Sequence, residues 1–154
     1  MVMKDKLYIG IDPGKSGGIA ALTATGKVLW DMKLSETPQD IFKFLYGATS
    51  FHDVRVLVEK VWIRAGQQGQ SKFIEGFGIL HGMLIALSVV DRVTSFEFVA
   101  PQTWMKKMGC LTKGDKNISK AAAQALWPKH GVHHWNSDSL LICEYLRRQH
   151  EKAS

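Results

Sequence analysis

Three short runs of β-forming residues lie within the first 34 residues, too close together for a helix to fit between them. They cover residues 7–11, 17–22 and 27–34, and a turn at residues 24–27 joins the last two. Each run has the length and apolar content of a buried strand. The chain therefore begins with a meander of strands, which restricts the fold to sheets that start in this way.

Helices and strands alternate after this meander. Thr37 and Pro38 begin a helix that ends near Gly47, and a β-branched run at 54–59 predicts a central strand. The pattern continues with a long helix over about 71–89, a strand at 93–99, and helices that begin at Pro101, at Asp115 or Asn117, and at Asn136 or Ser137, the last ending at Arg148. This order predicts an α/β fold with a mixed five-stranded sheet and helices on both faces.

The length and composition indicate one soluble domain. A chain of 154 residues that is 45% hydrophobic has room for one core, so we expect a single domain over residues 1–154. No uncharged apolar stretch of about eighteen residues and no secretory signal are evident. Cys110 and Cys143 stand in no paired spacing. We therefore expect a cytoplasmic protein without a membrane partner.

The net charge of +6 is concentrated in one part of the chain. Residues 101–130 carry six lysines against one acidic residue. Such a cluster is either a solvated face or a phosphate-binding surface, since clustered lysines release counterions from nucleic acid. Composition leaves both interpretations open for these side chains: Lys106, Lys107, Lys113, Lys116, Lys120 and Lys129.

Three carboxylates stand at the ends of predicted elements. Asp12 follows the first strand, Glu59 ends the fourth, and Asp138 lies in the first turn of the last helix. Each could be a cap or a surface charge. Together they suit a divalent cation that handles phosphates, because such ions take several converging oxygen ligands. The segment 10–18 is not a P-loop, because it lacks the upstream glycine and no helix follows.

Four motifs resemble the RuvC family of four-way junction resolvases, in the family's order. The first motif, residues 9–14, resembles the one with the family's catalytic aspartate, and the second, residues 58–62, resembles the one with a glutamate ligand and an aromatic that wedges between bases. The third, residues 99–107 with 114–116, resembles the lysine-bearing region, and the fourth, residues 138–142, resembles the start of the family's last helix. The resemblance covers about residues 7–148. The sugar-kinase and actin group has a similar opening hairpin, but its length of several hundred residues excludes it.

The resemblance implies a ribonuclease H-like fold and a nuclease that cuts branched DNA. It implies two Mg²⁺ ions, replaceable by Mn²⁺, held by Asp12, Glu59 and Asp138. It gives a catalytic role to Lys116 and DNA contacts to Trp62, Lys106, Lys107 and Lys113. It also implies a homodimer with helix contacts between subunits, to which the helix glycines Gly76, Gly78 and Gly82 are suited. The host would be a bacterial cell or a phage-infected one.

The sequence departs from the family pattern at one ligand position. The family carries an Asp or His three residues before the last catalytic aspartate, where this chain has Trp135. His134 stands beside that position and is a candidate proton handler or outer ligand. Two alternatives therefore stay open: another nuclease of the same fold, acting on flaps, hybrids or single strands, and a catalytically silent module that binds junctions.

Overall fold

The computed structural model describes residues 5–34, 37–48, 53–61, 66 and 70–153. Within them lie five strands and five helices. Their bounds are β1 Lys6–Ile11, β2 Gly18–Thr23, β3 Val28–Lys33, α1 Pro38–Ala48, β4 Asp53–Glu59, α2 Gln70–Val89, β5 Ser95–Val99, α3 Pro101–Lys107, α4 Lys116–Leu126 and α5 Ser137–Ala153. The predicted elements are confirmed in type and order. The main differences are α5, which ends at Ala153 rather than Arg148, and β5, which begins two residues later than the sequence suggested.

The strands form one mixed sheet in the order β3-β2-β1-β4-β5. The first three strands pair antiparallel, as the meander predicted, whereas β1 pairs parallel with β4 and β4 with β5. Each parallel connection passes through a helix, because the chain must return to the same end of the sheet. The carboxyl ends of β1, β4 and β5 therefore share one edge of the sheet.

Alternating side chains of the strands pack into two separate hydrophobic cores, one on each face of the sheet. Leu7, Ile9 and Ile11 belong to the core that α1 and α2 cover, together with Leu45 and Leu84. On the opposite face Tyr8, Leu22 and Leu57 belong to the core that α3, α4 and α5 cover. Because successive strand residues point to opposite faces, this division confirms the predicted sheet with helices on both faces.

Local capping sets where two of the helices begin. The Thr37 hydroxyl accepts from the amide of Asp40 at 3.2 Å and donates to the Asp40 carboxylate at 2.7 Å. The carboxylate of Asp115 accepts from the amide of Asn117 at 3.0 Å and caps α4. Both side chains satisfy amides that have no partner within the helix. The second contact decides between the two caps that the sequence left open.

Helix α2 is apolar but buries little of its surface in one copy of the chain. Its buried residues are Leu80, Leu84 and Leu87, whereas Ile85 is 48% and Val89 is 76% exposed. By length and composition alone it is apolar enough to cross a membrane, although only 17% of its most apolar window is buried. Core helices of soluble proteins can have the same length and apolar composition, but they are mostly buried. Much of the apolar surface of this helix is therefore exposed.

Candidate active site

The sheet brings Asp12 and Glu59 to the same edge. Ile11 and Val58 are partners in the parallel pairing of β1 with β4, and Asp12 and Glu59 are the next residue of each strand. The carboxyl ends of parallel strands are where ligands gather in such sheets. Two of the three predicted carboxylates are therefore neighbours because of strand register.

Helix α5 supplies Asp138 because Gly10 lets it lie directly on β1. A Cβ atom at Gly10 would overlap the carbonyl oxygen of Ser139 and the amide nitrogen of Cys143, and would lie 2.8 Å from the Cβ of Cys143. The Cys143 thiol also contacts the Tyr8 carbonyl at 2.9 Å. A missing side chain in β1 therefore allows the first turn of α5 to reach the end of that strand.

The loop after β1 packs closely against the Asp12 carboxylate and donates a hydrogen bond to it. The Asp12 amide donates to the Gly18 carbonyl at 2.9 Å, and the Gly14 amide donates to Asp12 Oδ1 at 3.1 Å. A Cβ at Gly17 would overlap the Asp12 carbonyl oxygen and lie 2.9 Å from its Cγ. The glycines of this segment thus serve close packing around a carboxylate.

The three carboxylates act on one another electrostatically. Burial, followed by the charge of Asp138, raises the pKa of Asp12 above its ordinary value. Burial, followed by the charge of Asp12, raises the pKa of Glu59 from 4.5 to about 7. The charge of Lys116 lowers both pKa values. Lys116 therefore lies near enough to offset the negative charge, as its predicted role requires.

One buried oxygen of the site has no hydrogen-bond partner among the described residues. Oδ1 of Asp138 is shielded from water and accepts no hydrogen bond. Leaving a buried polar atom unsatisfied costs about 1–3 kcal/mol, and more for a charged group. A divalent cation with a preference for oxygen ligands would satisfy it. The donor set therefore suits Mg²⁺ or Mn²⁺.

The carboxylates are near each other without forming a ready-made ligand cluster. Across the described parts of the chain, no group of three or more His, Cys, Asp and Glu side chains is spaced to hold a metal ion. Like charges near each other disfavour ionisation, which adds to the effect of burial on the pKa values of Asp12 and Glu59. The ligand set of Asp12, Glu59 and Asp138 stays a prediction.

Comparison with known proteins establishes the fold. No protein-family model and no curated protein match the sequence. The structure of Thermus thermophilus RuvC matches with a TM-score of 0.59 and 14% identity, over 94% of this chain and 96% of that one. T. thermophilus RuvC in complex with a Holliday junction substrate matches with a TM-score of 0.58 and 12% identity, over 93% and 96%. The chain has a RuvC-like fold.

The lysines of the RuvC-like resemblance lie on one connected stretch beside the site. Lys106 and Lys107 form the last turn of α3, and Lys116 begins α4. Lys113 lies between these helices with a φ of 47°, followed by Gly114 at 95°. All four are exposed, so they are free to meet phosphates, and their DNA contacts stay predictions. The predicted wedge, Trp62, lies outside the described residues.

The predicted proton handler, His134, is exposed in the turn before α5. Its carbonyl accepts from the Ser137 hydroxyl at 3.5 Å. No hydrogen bond or ion pair among the described residues joins its ring to Asp138. Its role as a fourth group of the RuvC-like site therefore stays a prediction.

Sequence reasoning missed a contact between Trp104 and Glu59. Trp104 is a fully buried core residue, and its Nε1 also donates to Glu59 Oε2 at 2.7 Å. This contact lowers the pKa of Glu59 and orients its carboxylate. The available signal was position, since Trp104 lies in α3, the short helix that follows β5, and β5 is the neighbour of β4.

Replacing Trp104 by phenylalanine should weaken the site while keeping most of the core volume. Losing the donor removes an interaction that favours ionised Glu59, so the pKa of Glu59 rises. If cleavage needs ionised Glu59, the pH range over which the cleavage rate rises should move to higher pH. Cleavage rates between pH 5.5 and 9 at sub-saturating Mg²⁺ test this, and an unmoved limb would show that the contact does not act on Glu59.

Proposed function

We propose that the protein is a divalent-metal-dependent endonuclease that cuts four-way and related branched DNA junctions as a homodimer. The observation that carries this proposal is the group of three carboxylates at one edge of a RuvC-like sheet, in which Asp12 and Asp138 are buried and Glu59 is half-buried. The charges repel each other, and Asp138 Oδ1 is without a partner among the described residues. A site of this kind is costly unless it serves to hold a cation.

The carboxylates would hold one or two Mg²⁺ or Mn²⁺ ions. When bound, the ions would supply an activated water for in-line attack on a phosphodiester and stabilise the departing 3′ oxygen. Glu59 is oriented for its part by Trp104 at 2.7 Å. Lys116, whose charge already acts on Asp12 and Glu59, would offset the charge that builds on the phosphate in the transition state.

A cleavage assay on matched substrates tests this proposal. Four-way junction, flap, RNA–DNA hybrid and linear duplex of the same sequence would be incubated with Mg²⁺, Mn²⁺ or EDTA. We expect paired nicks in the junction with either metal and none in EDTA. Preferential cutting of the flap or hybrid would instead identify another nuclease of this fold.

A silent junction-binding module is the second candidate. Trp135 stands where the family carries a ligand, and no ready-made ligand cluster exists among the described side chains. Such a module would bind the junction and release no nicked product at any metal concentration. The same assay therefore separates the two candidates.

The exposed apolar surface of α2 supports the homodimer. Ile74, Ile85 and Val89 are 44%, 48% and 76% exposed, and a Cβ at Gly78 or Gly82 would meet nothing within 4 Å. Apolar surface beside open glycine positions suits close packing against a second helix. Two equivalent sites related by a twofold axis would match the two equivalent strands of a junction.

Replacing Ile85 by glutamate should break this dimer. Fully burying an isoleucine contributes about 1.5–3 kcal/mol. Ile85 has about half of its surface left to bury, and a symmetric interface loses this contribution twice, so we expect dimer affinity to fall by about one to two orders of magnitude. Sedimentation velocity over a range of concentrations measures it. Leu126→Glu on α4 is the control, because Leu126 is similarly exposed at 40%. Equal sedimentation of both variants and the wild type would contradict an α2 interface.

A further inference from the structure

Trp135, His133 and Lys33 form a surface that the proposed cleavage chemistry does not use, here called the Trp135 platform. The rings of Trp135 and His133 are nearly parallel, with an interplanar angle of 11° and centroids 6.1 Å apart. The ammonium of Lys33 lies 5.8 Å from the centroid of the Trp135 ring. His133 and Lys33 are exposed, and Trp135 is half-buried. The platform therefore combines two stacked aromatic rings with a positive charge.

The Trp135 platform borders the carboxylate site. A Cβ at Gly18 would lie 3.2 Å from Cε3 of Trp135 and 2.8 Å from the carbonyl oxygen of Trp135, so the indole packs against Gly18. The carbonyl of the same Gly18 accepts from the amide of Asp12, and Trp135 precedes Asp138 by three residues. A strand whose phosphate lies at the carboxylates would thus pass beside the indole.

A buried hydrogen-bond network holds the platform in place. Asn136 is fully buried, and its Nδ2 donates to Asp31 Oδ2 and to the Gly131 carbonyl, both at 2.9 Å. Its Oδ1 accepts from the His133 amide at 2.6 Å. Asp31 also contacts His130 Nε2 at 2.6 Å. The turn that carries both rings is thereby tied to β3, so the rings need little ordering when a ligand arrives.

We propose that the Trp135 platform receives an unpaired base of the DNA strand next to the scissile phosphate, with Lys33 contacting the adjoining phosphate. The proposal rests on the function proposed above and adds a contact that orients the strand at the carboxylates. Stacking suits this surface because every base has a flat face, and pre-ordered aromatic rings lose little entropy on binding. A role confined to packing on Gly18 would not require the exposed partner ring and the nearby cation.

Binding measured without metal isolates this contact from cleavage. Fluorescence anisotropy in EDTA would compare a labelled four-way junction with matched junctions that carry one abasic sugar at successive positions around the cleavage point. Base–aromatic stacking is worth about 1–3 kcal/mol, so Trp135→Ala should weaken binding of the intact junction about 5- to 150-fold. Trp135→Phe should restore most of the affinity because it keeps a stacking ring.

The abasic series and matched variants decide the outcome. At one abasic position, the wild type and Trp135→Ala should bind equally, because the stacked base is gone. Lys33→Ala should lower the slope of log affinity against log salt by about one. The control is Trp127→Ala, since Trp127 is also half-buried but donates to the Gly26 carbonyl at the far end of β2. We expect its binding to match that of the wild type, and circular dichroism would check that each variant is folded.

Failure of the platform and failure of the proposed function give different results. A folded Trp135→Ala that binds within twofold of a wild type able to bind junctions overturns the platform alone. So does an equal loss on every abasic substrate, or a loss that Trp127→Ala shares. A wild type that binds no junction overturns both proposals. A wild type that binds and never cuts leaves the platform standing and points to a binding module.

Discussion

Replacing Asp12 by asparagine should lower junction cleavage by about three orders of magnitude or more while leaving junction binding intact or tighter. A bound metal ion contributes several kcal/mol to stabilising the transition state, and each 1.4 kcal/mol is a factor of ten in rate. Binding should not suffer, because the variant removes a negative charge that repels phosphate. Single-turnover cleavage and anisotropy on the same junction measure the two effects.

The same substitution should make the metal-free protein more stable at neutral pH. Because burial and Asp138 raise the pKa of Asp12, the folded state opposes its ionisation, and stability falls as pH rises through and above the ordinary pKa of about 3.9. Asparagine cannot ionise and removes this loss. Thermal melts at pH 7 in EDTA should show a higher Tm for Asp12→Asn, and added Mg²⁺ should raise the Tm of the wild type more than that of the variant.

Two results would contradict the predictions for Asp12→Asn. Cleavage within tenfold of wild type would remove Asp12 from the catalytic group. A lower Tm for the variant in EDTA would mean that ionised Asp12 stabilises the fold, so the strain attributed to buried carboxylates would be wrong. Glu59→Gln should behave in the same direction, since the shift of the Glu59 pKa from 4.5 to about 7 corresponds to a cost of roughly 3 kcal/mol at neutral pH or above.

Replacing Gly10 by alanine should damage both the fold and the site. The added methyl group would overlap backbone atoms of Ser139 and Cys143, and backbone cannot rotate aside as a flexible side chain can. Overpacking of this kind costs typically 1–3 kcal/mol and occasionally more, so we expect Tm to fall by about 2–12 °C. Displacing Asp138 should also lower cleavage about a hundredfold, because a shift of 1 Å at a catalytic group costs that much.

Gly47→Ala is the matched control for this loss. Gly47 lies in α1, and a Cβ there would meet nothing within 4 Å. Alanine in place of a helical glycine should therefore leave stability unchanged or raise it by about 0.5–1 kcal/mol. If Gly10→Ala melts and cuts like Gly47→Ala, then α5 does not depend on its close approach to β1.

The sequence predicted the sheet well because the sheet depends on local patterns. Apolar runs separated by turn residues are visible within a few positions, and the alternation with helices then limits the order of strands. The start of α4 at Asp115 was one of two predicted caps, and the contact with Asn117 involves residues only two positions apart. Such features are set by near neighbours in the chain.

The site was predicted only as far as its residue types and element ends allowed. The contact from Trp104 to Glu59 spans 45 residues, and that from Asn136 to Asp31 spans 105. Both depend on how strands pair and helices dock, which no local pattern records. Cys110 is a similar case: burial, followed by the charge of Asp138, raises its pKa to about 11, so it lies near the site although its spacing in the sequence indicated no such position.

The position of Asp138 ties assembly of the three carboxylates to the docking of α5. Asp12 follows the first strand and Glu59 ends the fourth, whereas Asp138 comes with α5, which follows all five strands in the chain. A chain folded only as far as β5 would possess two of the carboxylates and none of the core that α5 supplies. Contacts between such distant segments require closure of a long loop, which slows folding. The three carboxylates therefore come together only once α5 has docked across β1.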